Sequence, residues 1–128
     1  RANFRPSAQL EKPYVMLGFN VVAADTDAQA AVLATSLQQA FVNLRSGRPT
    51  KLPPPMPGYL DKLGPAERAL LDNVLSCSAI GSPETVRRGL LAFIERTGAD
   101  ELMIASQIHD HSARLRSYEI VAGLGLAG

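Results

Sequence analysis

The most constraining stretch of the sequence spans residues 81–105, where a complete helix signal leads directly into a strand signal. Ser82 is a favourable N-cap residue, and Pro83 suits the first turn of a helix. Gly98 can adopt the left-handed conformation that ends a helix. The predicted buried stripe comprises Val86, Leu90, Phe93, Ile94 and Thr97. The apolar run 102–105 is typical of a strand buried on both faces, so the stretch predicts half of an α/β repeat.

Further strand and helix signals alternate with this unit. Residues 14–23 form the longest apolar run, which only Asn20 interrupts, so we expect a strand inside a sheet. A helix is predicted from Thr26 to Gly47. Its expected buried stripe comprises Ala30, Leu33, Leu37, Ala40, Phe41 and Leu44. A second strand is expected at 77–80. Strands that alternate with helices indicate an α/β fold with parallel pairing and right-handed crossovers.

Residues 48–65 interrupt the alternation with a crowd of prolines and glycines, including three consecutive prolines. We expect an insertion that crosses the surface, and a polyproline ligand for another domain is the alternative. A short helix, 65–75, should follow the insertion. The last helix is expected to begin at Asp110 or Ser112, and the chain to end in a frayed tail.

Composition narrows the classes of function. The chain has 128 residues, enough for a single domain, and its formal net charge is +1. It has no tryptophan, 5% aromatic residues and no basic stripe, which argues against nucleic-acid binding. No apolar run approaches the roughly 20 residues that a membrane helix needs. The single cysteine, Cys77, cannot form an internal disulfide, which favours a reducing, cytoplasmic location.

Several segments, taken in order, resemble the C-terminal end of bacterial-luciferase-like, flavin-dependent monooxygenases. They are Ala-Asp-Thr-Asp at 24–27, Gly-Ser-Pro-Glu-Thr-Val at 81–86, Gly-Ala-Asp-Glu-Leu-Met at 98–103 and the helical segment 110–122. The proline-rich insertion belongs to the same ordered series. The resemblance extends upstream to Phe4-Arg5-Pro6-Ser7, so it covers nearly the whole chain.

The resemblance implies a partial (β/α)₈ barrel. Family members are usually more than twice this length, so residues 1–128 would correspond to the last three βα units as one domain, with 48–65 as an insertion. A closed eight-stranded barrel needs a longer chain than this. The family oxidises small organic substrates with O₂ and reduced FMN or, in some branches, a deazaflavin. The resemblance therefore implies FMN as cofactor, although this piece alone is not expected to bind it or to be active.

The partners follow from the same reasoning. We expect the chain to contact either the missing N-terminal portion or a further copy of itself, because three parallel strands leave two open sheet edges. The alternative function is a non-catalytic α/β module that assembles through those edges.

Candidate site residues come from the placement that the resemblance implies, since functional side chains of such barrels lie at the carboxyl ends of strands. His109 is the candidate catalytic residue, and Asn20, Ser82 and Ser106 are candidates for cofactor binding. The helix start at Ser82 could bind phosphate, although ordinary capping explains the same residue. For Asn20, a structural hydrogen bond is the alternative to a substrate contact.

No metal site is predicted. His109 and His111 flank Asp110, but residues two apart on a helix do not face each other, and no set of cysteines or carboxylates lies nearby in the sequence. The alternative for this segment is a loop in which Asp110 caps the next helix. Cys77 has no neighbouring base or cation, so we expect an inert, packed thiol.

Overall fold

The computed structural model describes residues 2–126, in which strands and helices alternate as the sequence predicts. The elements are β1 (Met16–Ala23), α1 (Asp27–Arg45), a 3₁₀ helix (Tyr59–Lys62), α2 (Pro65–Val74), β2 (Ser78–Gly81), α3 (Pro83–Thr97), β3 (Glu101–Ala105) and α4 (His111–Ala122). Each predicted element is present, with ends that differ from the predictions by one or two residues. None of the helices within residues 2–126 is long and apolar enough to cross a membrane.

The helix ends follow from local hydrogen bonds. The Thr26 hydroxyl accepts from the Gln29 N–H at 3.2 Å, and the Asp110 carboxylate accepts from the Ala113 N–H at 2.8 Å. These contacts satisfy backbone donors that have no partner within the first turn. At the C-terminus of α3, Gly98 has φ 63° and donates its N–H to the carbonyl of Ile94. Of the two candidate caps for the last helix, Asp110 is therefore the one used.

The three strands form a parallel sheet in the order β2-β1-β3. Asn20, near the middle of β1, is in register with Ser78 of β2 and with Ala105 of β3. The longest apolar run thus supplies the central strand, as predicted. In a closed (β/α)₈ barrel, each strand lies beside the strand that follows it along the chain. In this sheet β1 lies beside β2 as in a barrel, but β3 pairs with β1 and not with β2.

Helices cover both faces of this sheet. On one face, Phe19, Val21 and Ala23 pack with Val86, Leu90 and Phe93 of α3 and with Ile120 of α4. On the other face, Val22 packs with Ala34 of α1 and with Ile108. Successive residues of a strand point to opposite faces, so the adjacent valines of β1 serve the two cores separately.

The prediction that β3 is buried on both faces is wrong. Leu102 and Ile104 pack into the core beside α3 and α4, but the side chain of Met103 is 57% exposed. Met16 of β1 lies on the same face of the sheet and is 50% exposed. The reason is that α1 covers only the carboxyl half of this face. We call Met16, Gly18 and Met103 the exposed sheet face.

The predicted stripe of α1 is also partly wrong. Leu44 is exposed, whereas six consecutive residues, Ala34 to Gln39, are buried. The proline-rich segment folds back over the helix, which explains why residues on every side of its middle turns are buried. The Met56 N–H donates to the Thr35 hydroxyl at 2.9 Å, and the Gln39 amide donates to the carbonyl of Pro54 at 2.9 Å.

Two smaller expectations also fail. Cys77 is exposed rather than packed, because it immediately precedes the short outer strand β2. Leu124 and Leu126, expected in a frayed tail, pack against the core beside α3 and α4. The last two residues of that tail, 127 and 128, lie outside the described residues.

Candidate functional site

A crevice lies at the carboxyl ends of β1 and β3, between α1 and the first half of α4. After β1 the chain enters α1 on one face, and after β3 Ile108 and Ala113 pack on that same face, whereas Ile120, nearer the end of α4, packs on the other. Open α/β sheets characteristically bind ligands at a topological switch point, just beyond the ends of the strands. The fold thus indicates one preferred location for a ligand within the described part of the chain.

A cavity of about 590 Å³ lies at this point, and we call it the crevice. Its apolar lining comprises Ala23, Ala24, Ala28, Val32, Leu33 and Ala113. Asp25, Gln29 and Arg116 supply its polar groups. Both the volume and the predominance of apolar lining are typical of small-molecule sites.

Arg116 of α4 links the crevice to the loop after β1. Its guanidinium donates to Asp25 Oδ1 at 2.8 Å and to Glu119 Oε2 at 3.3 Å. The hydrogen bond to Asp25 first, and that to Glu119 second, raise the pKa of Arg116. These side chains are more than half exposed, so the pairs add little to stability. Their effect is to place two carboxylates and one guanidinium at the edge of an apolar cavity.

Asp27 occupies the N-terminus of α3. Its Oδ1 accepts a 2.7 Å hydrogen bond from the Ser82 N–H, and Gly81 approaches so closely that a Cβ built there would lie 2.6 Å from the same oxygen. The backbone hydrogen bond from Ser82, followed by a side-chain hydrogen bond from Thr85, lowers the pKa of Asp27. The carboxylate of the protein itself therefore sits where the sequence suggested a phosphate, and these residues do not fit the phosphate of FMN.

Ser106 is tied into a buried hydrogen-bond network. The Ser106 hydroxyl lies 3.0 Å from the Ser117 hydroxyl, which also accepts from the Ala23 N–H at 3.0 Å. The backbone N–H of Ser106 donates to the Tyr118 hydroxyl at 3.1 Å. Ser106 is 4% exposed and Ser117 fully buried. The network joins the ends of β1 and β3 to α4, whose Ala113 and Arg116 line the crevice.

The remaining predicted residues are spread along the sheet. His109 is exposed in the loop after β3, and His111, in the first turn of α4, lies 3.4 Å from the guanidinium of Arg114. Asn20 is half-buried, three residues before the end of β1, on the same face as Met16 and Met103. Within residues 2–126, no group of three or more His, Cys, Asp or Glu side chains is placed to hold a metal ion.

The sequence did not single out Asp25, Asp27 or Arg116 as site residues, although Asp25 lies in the segment after β1 where functional side chains were expected. The position of Asp27, directly after the helix cap Thr26, could have drawn attention to it as a first-turn carboxylate. No sequence signal joins Asp25 to Arg116, because the two lie on different elements and meet only in the fold.

The Asp27 contact carries a prediction about pH. Because the folded state lowers the pKa of Asp27, its contribution to stability is present above the unfolded value of about 4 and is lost as the pH falls through the lower folded pKa. Asp27→Asn should therefore lower the melting temperature by a small amount at pH 7, and the difference from the unsubstituted protein should narrow below about pH 4. Calorimetric scans at a series of pH values measure this.

Glu95→Gln, at an exposed position of α3, is the matched control and should leave the melting temperature at pH 7 nearly unchanged. A gap for Asp27→Asn that is the same at pH 3 and at pH 7 would contradict the ionic account.

Known proteins resemble the chain in sequence and in fold, although no protein-family model matches it. A luciferase-like monooxygenase of Escherichia coli (strain K12) is 47% identical over 120 residues, which is 94% of this chain and 36% of the relative. The protein YvbT of Bacillus subtilis (strain 168) is 41% identical over 122 residues, again 36% of the relative. The crystal structure of apo-MsnO8 superposes with a TM-score of 0.81 at 32% identity, covering 97% of this chain and 38% of that one.

The chain thus spans little more than a third of the length of the curated relatives that it matches. That share is consistent with the predicted C-terminal portion, and the parallel α/β fold agrees with it. Sequence identity and superposition, taken together, show that the chain is similar to about a third of a luciferase-like monooxygenase, the family that its sequence resembles.

Proposed function

We propose that the complete protein is a flavin-dependent monooxygenase that oxidises a small organic substrate with reduced flavin and O₂, and that the chain described here contributes the crevice for that substrate. The observation that carries the proposal is the 47% identity to a luciferase-like monooxygenase over 94% of this chain. When bound, the flavin supplies the oxygen chemistry, and the protein binds and orients the substrate and excludes water.

The flavin itself is assigned to the remainder of the longer protein. At the start of α3, the carboxylate of Asp27 takes the backbone donor that a phosphate would need. The hydroxyl of Ser106 is already hydrogen-bonded to that of Ser117. Asn20 is the remaining cofactor candidate, since its side chain is half-buried on the sheet face that carries Met16 and Met103. We accordingly propose that residues 1–128 alone do not turn over substrate.

The test is incorporation of ¹⁸O from ¹⁸O₂ into an organic product. Protein from the full reading frame, supplied with chemically reduced FMN and a panel of small organic compounds, should yield labelled product. Residues 1–128 alone and a sample without protein are the controls, because reduced flavin also reacts with O₂ unaided. Failure of the full-length protein with both FMN and a deazaflavin would overturn the proposal.

His109 remains the candidate catalytic residue, and His111 offers a matched control. Both imidazoles lie at the carboxyl edge of the sheet, but His111 contacts Arg114 and begins a helix. His109→Asn should change the pH profile of kcat if this histidine holds or moves a proton, whereas His111→Asn should not. Equal profiles for the two variants would remove His109 from the proposed mechanism.

The exposed sheet face supports a proposal about partners. Gly18 and Met103 are adjacent in the β1–β3 register, and Met16 lies beside them. We propose that the rest of the longer protein covers these side chains. A second copy of the chain is the alternative, in keeping with a non-catalytic module that assembles through its sheet edges. Sedimentation separates the two, since only the alternative requires a full-length dimer.

We place the protein in the cytoplasm, where the exposed Cys77 thiol stays reduced.

A further inference from the structure

The crevice has few polar groups, and their charges are already engaged. Its lining is mainly alanine, valine and leucine, and burial of apolar ligand surface there is favourable. Among the lining residues, Ala23 and Ala24 are buried, whereas Val32 is 38% exposed. A ligand that fills this cavity must therefore be predominantly apolar.

The charges at the edge set the charge of the ligand. Arg116 contributes one positive charge and its partners Asp25 and Glu119 two negative ones, so the group carries a net charge of −1. A carboxylate or phosphate on the ligand would have to displace Asp25 from the guanidinium and would still face Glu119. An anion is therefore disfavoured at this edge.

One uncharged polar group is available in the lining. Gln29 presents a primary amide to the crevice, and an amide can donate to a carbonyl or accept from a hydroxyl. It lies in the first turn of α1, whose backbone Thr26 fixes, so its position is defined. A single carbonyl or hydroxyl on an otherwise apolar molecule matches this group.

We infer that the crevice binds a small, uncharged, apolar molecule carrying one hydrogen-bonding group such as an ester or ketone carbonyl. As a statement about the substrate, this rests on the proposed function. As a statement about binding, it rests on the switch point between β1 and β3, on the apolar lining and on the edge charges.

Two probes that differ in charge test the inference. Methyl 2-naphthoate and 2-naphthoate share the same rings, and only the second is an anion. Titration calorimetry with the full-length protein, without flavin and without turnover, should give saturable binding of the ester and at least tenfold weaker binding of the anion. Because the assay contains no flavin, its outcome is separate from that of the oxygenation experiment.

Two substitutions on one helix locate the site. Ala28 lines the crevice and Ala31, three residues further along α1, is exposed and lies outside it. Ala28→Trp should weaken ester binding at least tenfold, whereas Ala31→Trp should leave it within twofold. Circular dichroism checks folding, and Val32→Trp replaces Ala28→Trp if the latter is unfolded.

A third substitution tests the role of charge. Asp25→Asn removes one of the two carboxylates from Arg116, so the affinity for 2-naphthoate should rise at least fivefold while that for the ester stays within threefold. The inference is overturned if the ester does not bind saturably, if both tryptophan variants weaken it equally, if the anion binds as tightly as the ester, or if Asp25→Asn leaves the anion unaffected.

Discussion

Replacing Leu90 by alanine is expected to destabilise the protein by about 2–5 kcal/mol, the range for a large buried side chain truncated in a packed core. Leu90 is 1% exposed and packs with Val21 of the central strand and with Phe93 on its own helix. Truncation removes apolar contacts and leaves a cavity that the sheet and α3 can fill only in part. Urea denaturation followed by far-UV circular dichroism measures the loss.

The next residue along α3 is the matched control. Leu91 has the same side chain and helical environment, but it is 40% exposed. Leu91→Ala should cost less than about 1 kcal/mol, because surface substitutions away from special features have small effects. Similar losses for the two variants would show that α3 does not face the sheet as described.

Local signals in the sequence were sufficient for the elements themselves. The caps Thr26, Ser82 and Asp110 and the left-handed Gly98 each act within a few residues, so their effects can be read without knowledge of the fold. The parallel sheet follows in the same way from alternating strands and helices. Family resemblance added the expectation of a partial chain, with which the 36% coverage of the relatives is consistent.

Burial was predicted less well, because it depends on neighbours that a periodic pattern does not reveal. Met103 lies in an apolar run, yet it is exposed because α1 covers only part of the sheet. Leu44 was expected to be buried and is exposed, whereas Gln39, outside the predicted stripe, is buried. The reason is that the proline-rich segment packs over the middle of α1 rather than over its end. Both errors have the same cause, since periodicity shows that one side of an element is apolar but not which segment packs on it.

The sequence predicted a place for a candidate site, but the crevice that lies there is lined by residues other than the predicted ones. The carboxyl ends of the strands were the expected place, and the crevice lies there. The segment from the end of β1 to the start of α1 nevertheless makes contacts that the sequence did not predict. Asp25 reaches Arg116 of α4, and Asp27 reaches the start of α3. Two carboxylates two residues apart thus connect the end of β1 to α3 and to α4. Each contact joins residues more than fifty positions apart in the sequence.

The buried pair Ser106 and Ser117 provides the second prediction with a large expected effect. Ser117→Ala removes the hydroxyl that accepts from the Ala23 N–H and contacts Ser106. Both partners would be left buried without a hydrogen bond, which should cost about 1–3 kcal/mol. Ser112→Ala, at an exposed position in the first turn of the same helix, should cost less than about 0.5 kcal/mol.

Amide hydrogen exchange gives the site-specific measurement for this pair of variants. Protection of the Ala23 N–H should fall in Ser117→Ala and stay unchanged in Ser112→Ala, because only the first variant removes its acceptor. If Ala23 stayed protected and Ser117→Ala were as stable as the control, the hydroxyl pair would not be what ties β1 to α4. The crevice would then depend for its shape on apolar packing alone, and Ile108 and Ala113 would become the residues to test.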